Sequence, residues 1–269
     1  MTRIESGFRA LKRKGQAALI HFIVAGDPDL ETTEALVVRM AESGADMIEL
    51  GVPFSDPLAD GPTIQAASHR ALQKGMGLKE IFGMTRRLKG KTPPLILMTY
   101  FNPIFRYGLK TFAAECKENG VEGVIVPDLA PEEADPWVKE ARASDLDTIF
   151  LLSPTSSPKR AKMVDRLSRG FIYYVSVTGV TGARGRLPEE LELGVRKIKE
   201  QTQKPVAVGF GISTPEQAKE VSRFAEGVIV GSAIVKIIEE NAGNPDLVPR
   251  VGEFVASLSG ALKSMPTNK

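Results

Sequence analysis

Short apolar runs alternate with stretches of helical spacing along the whole chain. Eight runs stand out: 19–25 (LIHFIVA), 46–51 (DMIELG), 95–101 (LILMTYF), 122–126 (EGVIV), 147–152 (DTIFLL), 171–176 (FIYYVS), 205–209 (PVAVG) and 226–231 (EGVIVG). Each is nearly continuous and rich in Val, Ile, Leu or aromatic residues, as strands covered on both faces are. In 30–43, Leu30, Ala35, Leu36, Val38, Met40 and Ala41 form one helical face, with Glu31, Glu34, Arg39 and Glu42 outside it. Segments 109–119, 131–143, 158–168, 188–201 and 214–222 behave alike, and Pro131, Pro158, Pro188 and Pro215 sit where a first helical turn tolerates proline. A basic helix over residues 3–14 precedes the first strand.

Strict alternation of eight strands with helices admits a closed barrel or an open doubly wound sheet. The count of eight, the length of 269 residues and the lack of a linker favour the barrel. The expected fold is α/β, one (β/α)8 TIM barrel over 1–269, with the added N-terminal helix and extra short helices after strands 2 and 8. Residues from about 264 to 269 (SMPTNK) read as a frayed tail.

Composition narrows the function. With 35 basic and 33 acidic residues the net charge is only +2, and the basic residues form no stripe, so nothing argues for nucleic acid. Cys116 stands alone, which excludes an internal disulfide and fits a reducing compartment. His21, His69 and one cysteine make no structural zinc set, and no metal is expected. Lys12, Arg13 and Lys14 before 17–25 superficially resemble a signal peptide, but the run is short, contains His21 and ends in Gly26-Asp27-Pro28. No segment approaches the ~20 apolar residues of a membrane span, and a cytoplasmic protein is expected.

Barrel chemistry sits at the C-terminal ends of the strands, with phosphate often held after strands 7 and 8. Strand 7 ends in Gly209-Phe210-Gly211-Ile212-Ser213, and strand 8 in Gly231-Ser232-Ala233 at a helix start. The loop after strand 6, 178–185 (TGVTGARG), is also glycine-rich. These glycines either let backbone N–H groups approach an anion or serve tight turns. On strand 2, Glu49 lies between Ile48 and Leu50 and shares a face with Met47. Burial there raises a carboxyl pKa and makes the proton transferable near neutrality; the alternative is a structural ion pair with a neighbouring Lys or Arg. Asp56 and Asp60 follow in a proline-stiffened loop (52–62, VPFSDPLADGP), where local chemistry alone reads them as turn residues. Phe22, Met98, Tyr100, Ile125, Tyr173, Phe210 and Ile229 fall near strand ends, and either line an apolar pocket or fill the barrel. His21, Cys116 and Trp137 read as packing residues.

The segment 49–65 (ELGVPFSDPLADGPTIQ) closely resembles the strand-2 segment of the tryptophan synthase alpha family. The segments 173–185 (YYVSVTGVTGARG), 209–213 (GFGIS), 230–236 (VGSAIVK) and 21–29 (HFIVAGDPD) are similar to its strand-6 loop, phosphate site and first strand, in the right order over essentially the whole chain. The resemblance implies a retro-aldol lyase that splits indole-3-glycerol phosphate into indole and glyceraldehyde 3-phosphate without a cofactor. It makes Glu49 the proton shuttle, Asp60 the acceptor of the indole N–H, and Tyr173 their strand-6 companion. Gly182, Gly211, Gly231 and Ser232 fall on phosphate-binding positions. Phe22, Met98, Ile125, Phe210 and Ile229 fall on pocket-wall positions, and Tyr100 belongs with the pocket residues. It further implies a pyridoxal-phosphate-dependent beta subunit in an α2β2 heterotetramer, with Asp56 and Thr181 serving the interface or loop closure. Competing expectations are a free-standing lyase of the same family, a silent regulatory phosphate-binding barrel, and another phosphate-binding barrel such as a phosphoribosyl isomerase.

Overall fold

The computed structural model describes residues 1–175, 189–209 and 211–263. The expected tail at 264–269 and the loop at 178–187 lie outside the described residues. An all-parallel sheet runs through β1 (Ala18–Val24), β2 (Met47–Gly51), β3 (Leu95–Met98), β4 (Val121–Ile125), β5 (Asp147–Ile149), β6 (Leu151–Leu152), β7 (Ile172–Val175), β8 (Val206–Gly209) and β9 (Gly227–Val230). The strand order β5-β4-β3-β2-β1-β9-β8-β7-β6 brings the ends of the sheet back to one place in the chain. β5 and β6 are two halves of one stave: β5 pairs with β4, β6 with β7, and Phe150 between them still accepts the Tyr173 N–H at 3.0 Å. The result is an eight-stave (β/α)8 barrel, as the alternation predicts. The apolar run 147–152 is therefore interrupted, where the sequence suggests one strand.

Helices pack on the outside of the staves. They are α2 (Leu30–Glu42), α3 (Pro62–Gln73), α4 (Leu78–Leu88), α5 (Phe101–Tyr107), α6 (Leu109–Glu118), α7 (Asp135–Ala143), α8 (Pro158–Leu167), α9 (Glu189–Lys199), α10 (Pro215–Val221), α11 (Ser232–Glu240) and α12 (Leu247–Lys263). Capping side chains set several starts: Asp29 takes the Thr32 N–H, Ser157 that of Arg160 and Thr214 that of Gln217. The extra helix after β2, α3, runs for a full 12 residues. Its neighbour α5 is one the sequence pattern misses. Residues 95–101 read as one strand, yet the strand stops at Met98, and Asp128 Oδ1 accepts the Phe101 N–H at 2.8 Å where α5 begins. Tyr100 and Phe101 are aromatic because they pack around the rim, not because they extend the sheet.

The barrel's two ends differ. At the N-terminal end, the added helix α1 (Arg3–Arg13) lays Ile4, Phe8 and Leu11 into the barrel, where they join Ala18, Ile20, Met47, Ile96 and Phe171. Thr2 caps α1 reciprocally with Glu5, and its hydroxyl donates to Asp147 Oδ2 at 2.6 Å. These side chains fill the barrel interior at this end. At the C-terminal end an Arg70 fork ties α3 to the loop after β1, with Nε–Oδ1 and Nη2–Oδ2 both 2.9 Å from Asp27, while Nη1 reaches Glu239 on α11 at 2.7 Å. No helix among the described residues is long and apolar enough to cross a membrane.

His21 faces the helix layer from β1, wholly buried, with the Val230 backbone beside its ring. Burial pushes its pKa down to about 3 from 6.5. Between those values the unfolded chain binds the proton and the folded chain does not, so stability is lost as pH falls below 6.5. We expect wild type to lose about 1.4 kcal/mol per pH unit relative to His21→Leu over pH 6 to 4, read by denaturant unfolding. A pH-independent difference between the two would contradict the neutral burial of His21.

Candidate active site

At the C-terminal end of the strands a cavity of about 320 Å³ opens to the surface. That is the lower end of the roughly 300–1,000 Å³ typical of small-molecule sites. Its walls are Phe22 from β1, Met98 from β3, Ile125 from β4, Leu151 from β6, Tyr173 and Val175 from β7, and Ile229 from β9. The loop from Ala59 to Ile64 forms one side, with Asp60 on it, and Gly211, Gly231 and Ser232 form the rim on the other late loops. The barrel thus gathers at one mouth residues that the sequence spreads from 22 to 232. Phe210, Gly182 and Thr181 lie outside the described residues.

Glu49 sits on β2 in register with Phe22 and Ile96, its side chain inside the barrel with that of Met47. It is 0% exposed and does not itself line the cavity, although its neighbour Phe22 does. Neither carboxyl oxygen has a hydrogen-bond partner among the described residues, and no described Lys or Arg pairs with it. The ion-pair alternative therefore finds no support there. Desolvation raises its pKa from 4.5 to about 8, so the acid keeps its proton at neutral pH.

Tyr173 lines the cavity within the electrostatic reach of both acids: burial first, then the charges of Glu49 and Asp60, hold its hydroxyl protonated far above its ordinary range. Gly209 on β8 makes room for that ring, since a methyl there would stand 2.6 Å from Tyr173 Cζ. The glycine thus serves side-chain packing, a use that the glycine-rich pattern alone does not reveal. Gly51 does the same for Phe22, whose Cζ would lie 2.7 Å from an added Cβ.

Asp60 is part-buried at the end of the loop that leaves β2. Burial raises its pKa, and a hydrogen bond from Tyr100 Oη to Oδ2 at 3.0 Å opposes the rise. Tyr100 stands behind Asp60, in a small adjoining pocket with Val52, Pro57 and Ser68, rather than in the wall of the main cavity. Ser68 on α3 pins the loop from beneath, its Oγ taking the Phe54 N–H at 2.9 Å. The sequence offers no motif for that serine beyond its place on a buried helical face. Asp56 is exposed, bonded by Ser55 Oγ at 2.6 Å. Gly231 caps α11 without a side-chain bond, so the first N–H groups of that helix face the rim uncapped. His69 is exposed and Cys116 buried, both away from the mouth, and no group of three or more acidic, His or Cys residues among those described could hold a metal ion.

A closed parallel barrel with a cavity at the C-terminal ends of its strands is the arrangement of barrel enzymes. The comparisons with known proteins fix the family. The family model for the tryptophan synthase alpha chain matches residues 8–261. A tryptophan synthase alpha chain of Geotalea uraniireducens is 51% identical over 266 residues, covering 98% of this chain and 99% of that protein. That of Geobacter sulfurreducens is 51% identical over 263 residues, 97% of this chain and 99% of its own. Among solved structures, the alpha subunit from Legionella pneumophila superposes with a TM-score of 0.92 at 39% identity, over 98% of this chain and 100% of that one. The chain belongs to the tryptophan synthase alpha chain family.

The acid at Glu49 carries a stability signature. The folded state holds a proton up to about pH 8 that the unfolded state releases at 4.5, so wild type loses stability as pH rises through that window. We expect Glu49→Gln, which cannot ionise, to gain on wild type by about 1.4 kcal/mol per pH unit between pH 5 and 8. Denaturant unfolding at those two pH values checks it, and a constant gap between the proteins would contradict a desolvated Glu49.

Proposed function

We propose that Glu49 moves protons and Asp60 holds charge in the lyase reaction that comes with the family, the cleavage of indole-3-glycerol phosphate to indole and glyceraldehyde 3-phosphate. The observation that carries this reading is the partnerless Glu49 carboxyl, neutral near pH 7 and set below the cavity that Asp60 lines. Indole is a poor leaving group until C3 is protonated. The Glu49 acid gives C3 its proton, and the positive charge that develops at N1 lies against the Asp60 carboxylate. The Glu49 carboxylate so formed takes the C3′ hydroxyl proton, the new C=O forms, and the C3–C3′ electron pair returns to the ring. The same proton inventory is restored at the end of the turnover.

Gly211, Gly231, Ser232 and the uncapped start of α11 are the phosphate cradle in this reading, supported by their place on the rim and by the dipole of a helix start. Phe22, Met98, Ile125 and Ile229 flank the indole. Fixing the phosphate at one end orients the scissile bond at the other, which is how a site with only two carboxylates gains rate. This chain supplies no cofactor; pyridoxal phosphate belongs to the beta subunit, with which we infer an α2β2 assembly and direct transfer of indole. Support for that partner comes from two exposed apolar side chains, Leu58 in the loop after β2 at 91% and Phe105 on α5 after β3 at 66%. Buried, unpaired Cys116 fits the reducing cytoplasm in which we place the assembly.

Indole release from indole-3-glycerol phosphate tests the reading directly. Glu49→Gln is expected to lower kcat by at least about a thousandfold and Asp60→Asn by about a hundredfold, with folding unchanged. For wild type, kcat/KM falls as pH rises through about 8, because the acid form of Glu49 in the free enzyme is then lost. Full activity of Glu49→Gln would remove its assigned role. For the partner, Phe105→Asp is expected to weaken beta-subunit stimulation about tenfold or more while the unassisted turnover stays the same. If a beta subunit leaves wild-type turnover unchanged, the free-standing lyase becomes the better description.

A further inference from the structure

Tyr100 makes two hydrogen bonds through one oxygen. Its Oη accepts the Ala59 N–H at 2.9 Å and lies 3.0 Å from Asp60 Oδ2. A backbone N–H can only donate, so the phenol oxygen is an acceptor there, and its single proton is left for Asp60. The order of donors along Ala59, Tyr100 and Asp60 is therefore fixed by chemistry rather than by choice of rotamer. Oδ2 of Asp60 is an acceptor in this arrangement, which requires that oxygen to carry no proton. Among the described residues, nothing donates to Oδ1, and no Lys or Arg reaches the carboxylate.

The ring is held as firmly as the hydroxyl. It stacks on Phe54 with centroids 5.1 Å apart and planes at 25°. Its main chain precedes α5, where Asp128 takes the next N–H, that of Phe101, at 2.8 Å. Tyr100 thus bridges two loops, the one after β2 that carries Asp60 and the one after β3 that carries itself.

We propose that Tyr100 is a positioning residue: its hydroxyl locks Asp60 through Oδ2 and so presents Oδ1 to the ring N–H of an indole substrate. The inference rests on the proposed role of Asp60 and adds to it which oxygen works and what aims it. The other charges facing Tyr100 are those of Asp60 and Asp128, both negative, and together with burial they keep the phenol protonated throughout the working pH range. The same bond favours the ionised form of Asp60 against the desolvation that raises its pKa.

Tyr100→Phe keeps the ring and its stack on Phe54 and deletes only the hydroxyl. Its expected effect is a loss of about tenfold to a hundredfold in kcat/KM for indole-3-glycerol phosphate, the scale of one hydrogen bond to a charged group. The acid limb of the kcat/KM profile is expected to move to higher pH, since Asp60 loses a donor that favours its charge. In an Asp60→Asn background the same substitution is expected to change kcat/KM less than about twofold, because its target is gone. A residue that only packs would cost the same factor in both backgrounds and leave the acid limb in place, which would overturn the proposal. Asp60→Asn as active as wild type would instead remove the role of Asp60 on which it rests. Far-UV circular dichroism and thermal melts of each variant confirm that the compared proteins are folded; should Tyr100→Phe melt early, the pH profile measured well below its midpoint still decides.

Discussion

Water does not reach the Glu49 carboxyl, and no described group bonds either of its oxygens. Burial without a partner disfavours the ionised form, so the acid holds its proton at a pH where an exposed glutamate has released it. The rest of the mouth depends on that single desolvated group. A parallel barrel supplies the dry interior, in which Ile20, Met47 and Ile96 pack as one apolar cluster. Phe22 and Ile96 flank it in register, and Gly51 and Gly209 give Phe22 and Tyr173 the space to close around it.

A buried acid alone does nothing without a second group of fixed charge, and the two carboxylates of this site are kept different by their surroundings. Glu49 has no donor among the described residues and stays neutral; burial raises the pKa of Asp60 as well, but there the bond from Tyr100 opposes the rise. Their loops are fixed from outside the cavity. Ser68 grips the backbone at Phe54, and the Arg70 fork joins α3 to Asp27 and to Glu239 on α11, the helix whose start lies on the rim. The loop after β1, α3 and α11 are therefore tied to one another across the barrel mouth, while α1 packs into the opposite end and is joined there to Asp147 through its cap Thr2.

Much of this was readable from the chain because burial leaves a pattern. Continuous apolar runs separated by helical spacing mark parallel staves, and an acid inside one of them, Glu49 between Ile48 and Leu50, contradicts its surroundings enough to be noticed. Where local and tertiary causes diverge, the reading fails. Tyr100 and Phe101 extend an apolar run yet belong to the rim, and only the position of Asp128 starts a helix there. The break at Phe150 has no turn residue to announce it. Asp60 illustrates the other limit: in Ala-Asp-Gly-Pro it looks like a turn former, and its partner Tyr100 is forty positions away. Gly209 reads from the sequence as serving either anion approach or a tight turn, whereas what it makes room for is the ring of Tyr173.

The site depends on Glu49 being a neutral acid in the free enzyme at physiological pH. A direct reading is the carboxyl carbon shift of Glu49 in protein labelled with 13C at the glutamate side-chain carboxyl, followed by NMR from pH 4 to 10 and assigned by its disappearance in Glu49→Gln. A neutral, buried Glu49 gives a single titration centred near 8. A midpoint near 4.5, where an ordinary glutamate titrates, would show instead that the carboxyl is solvated or paired and is no neutral acid at physiological pH.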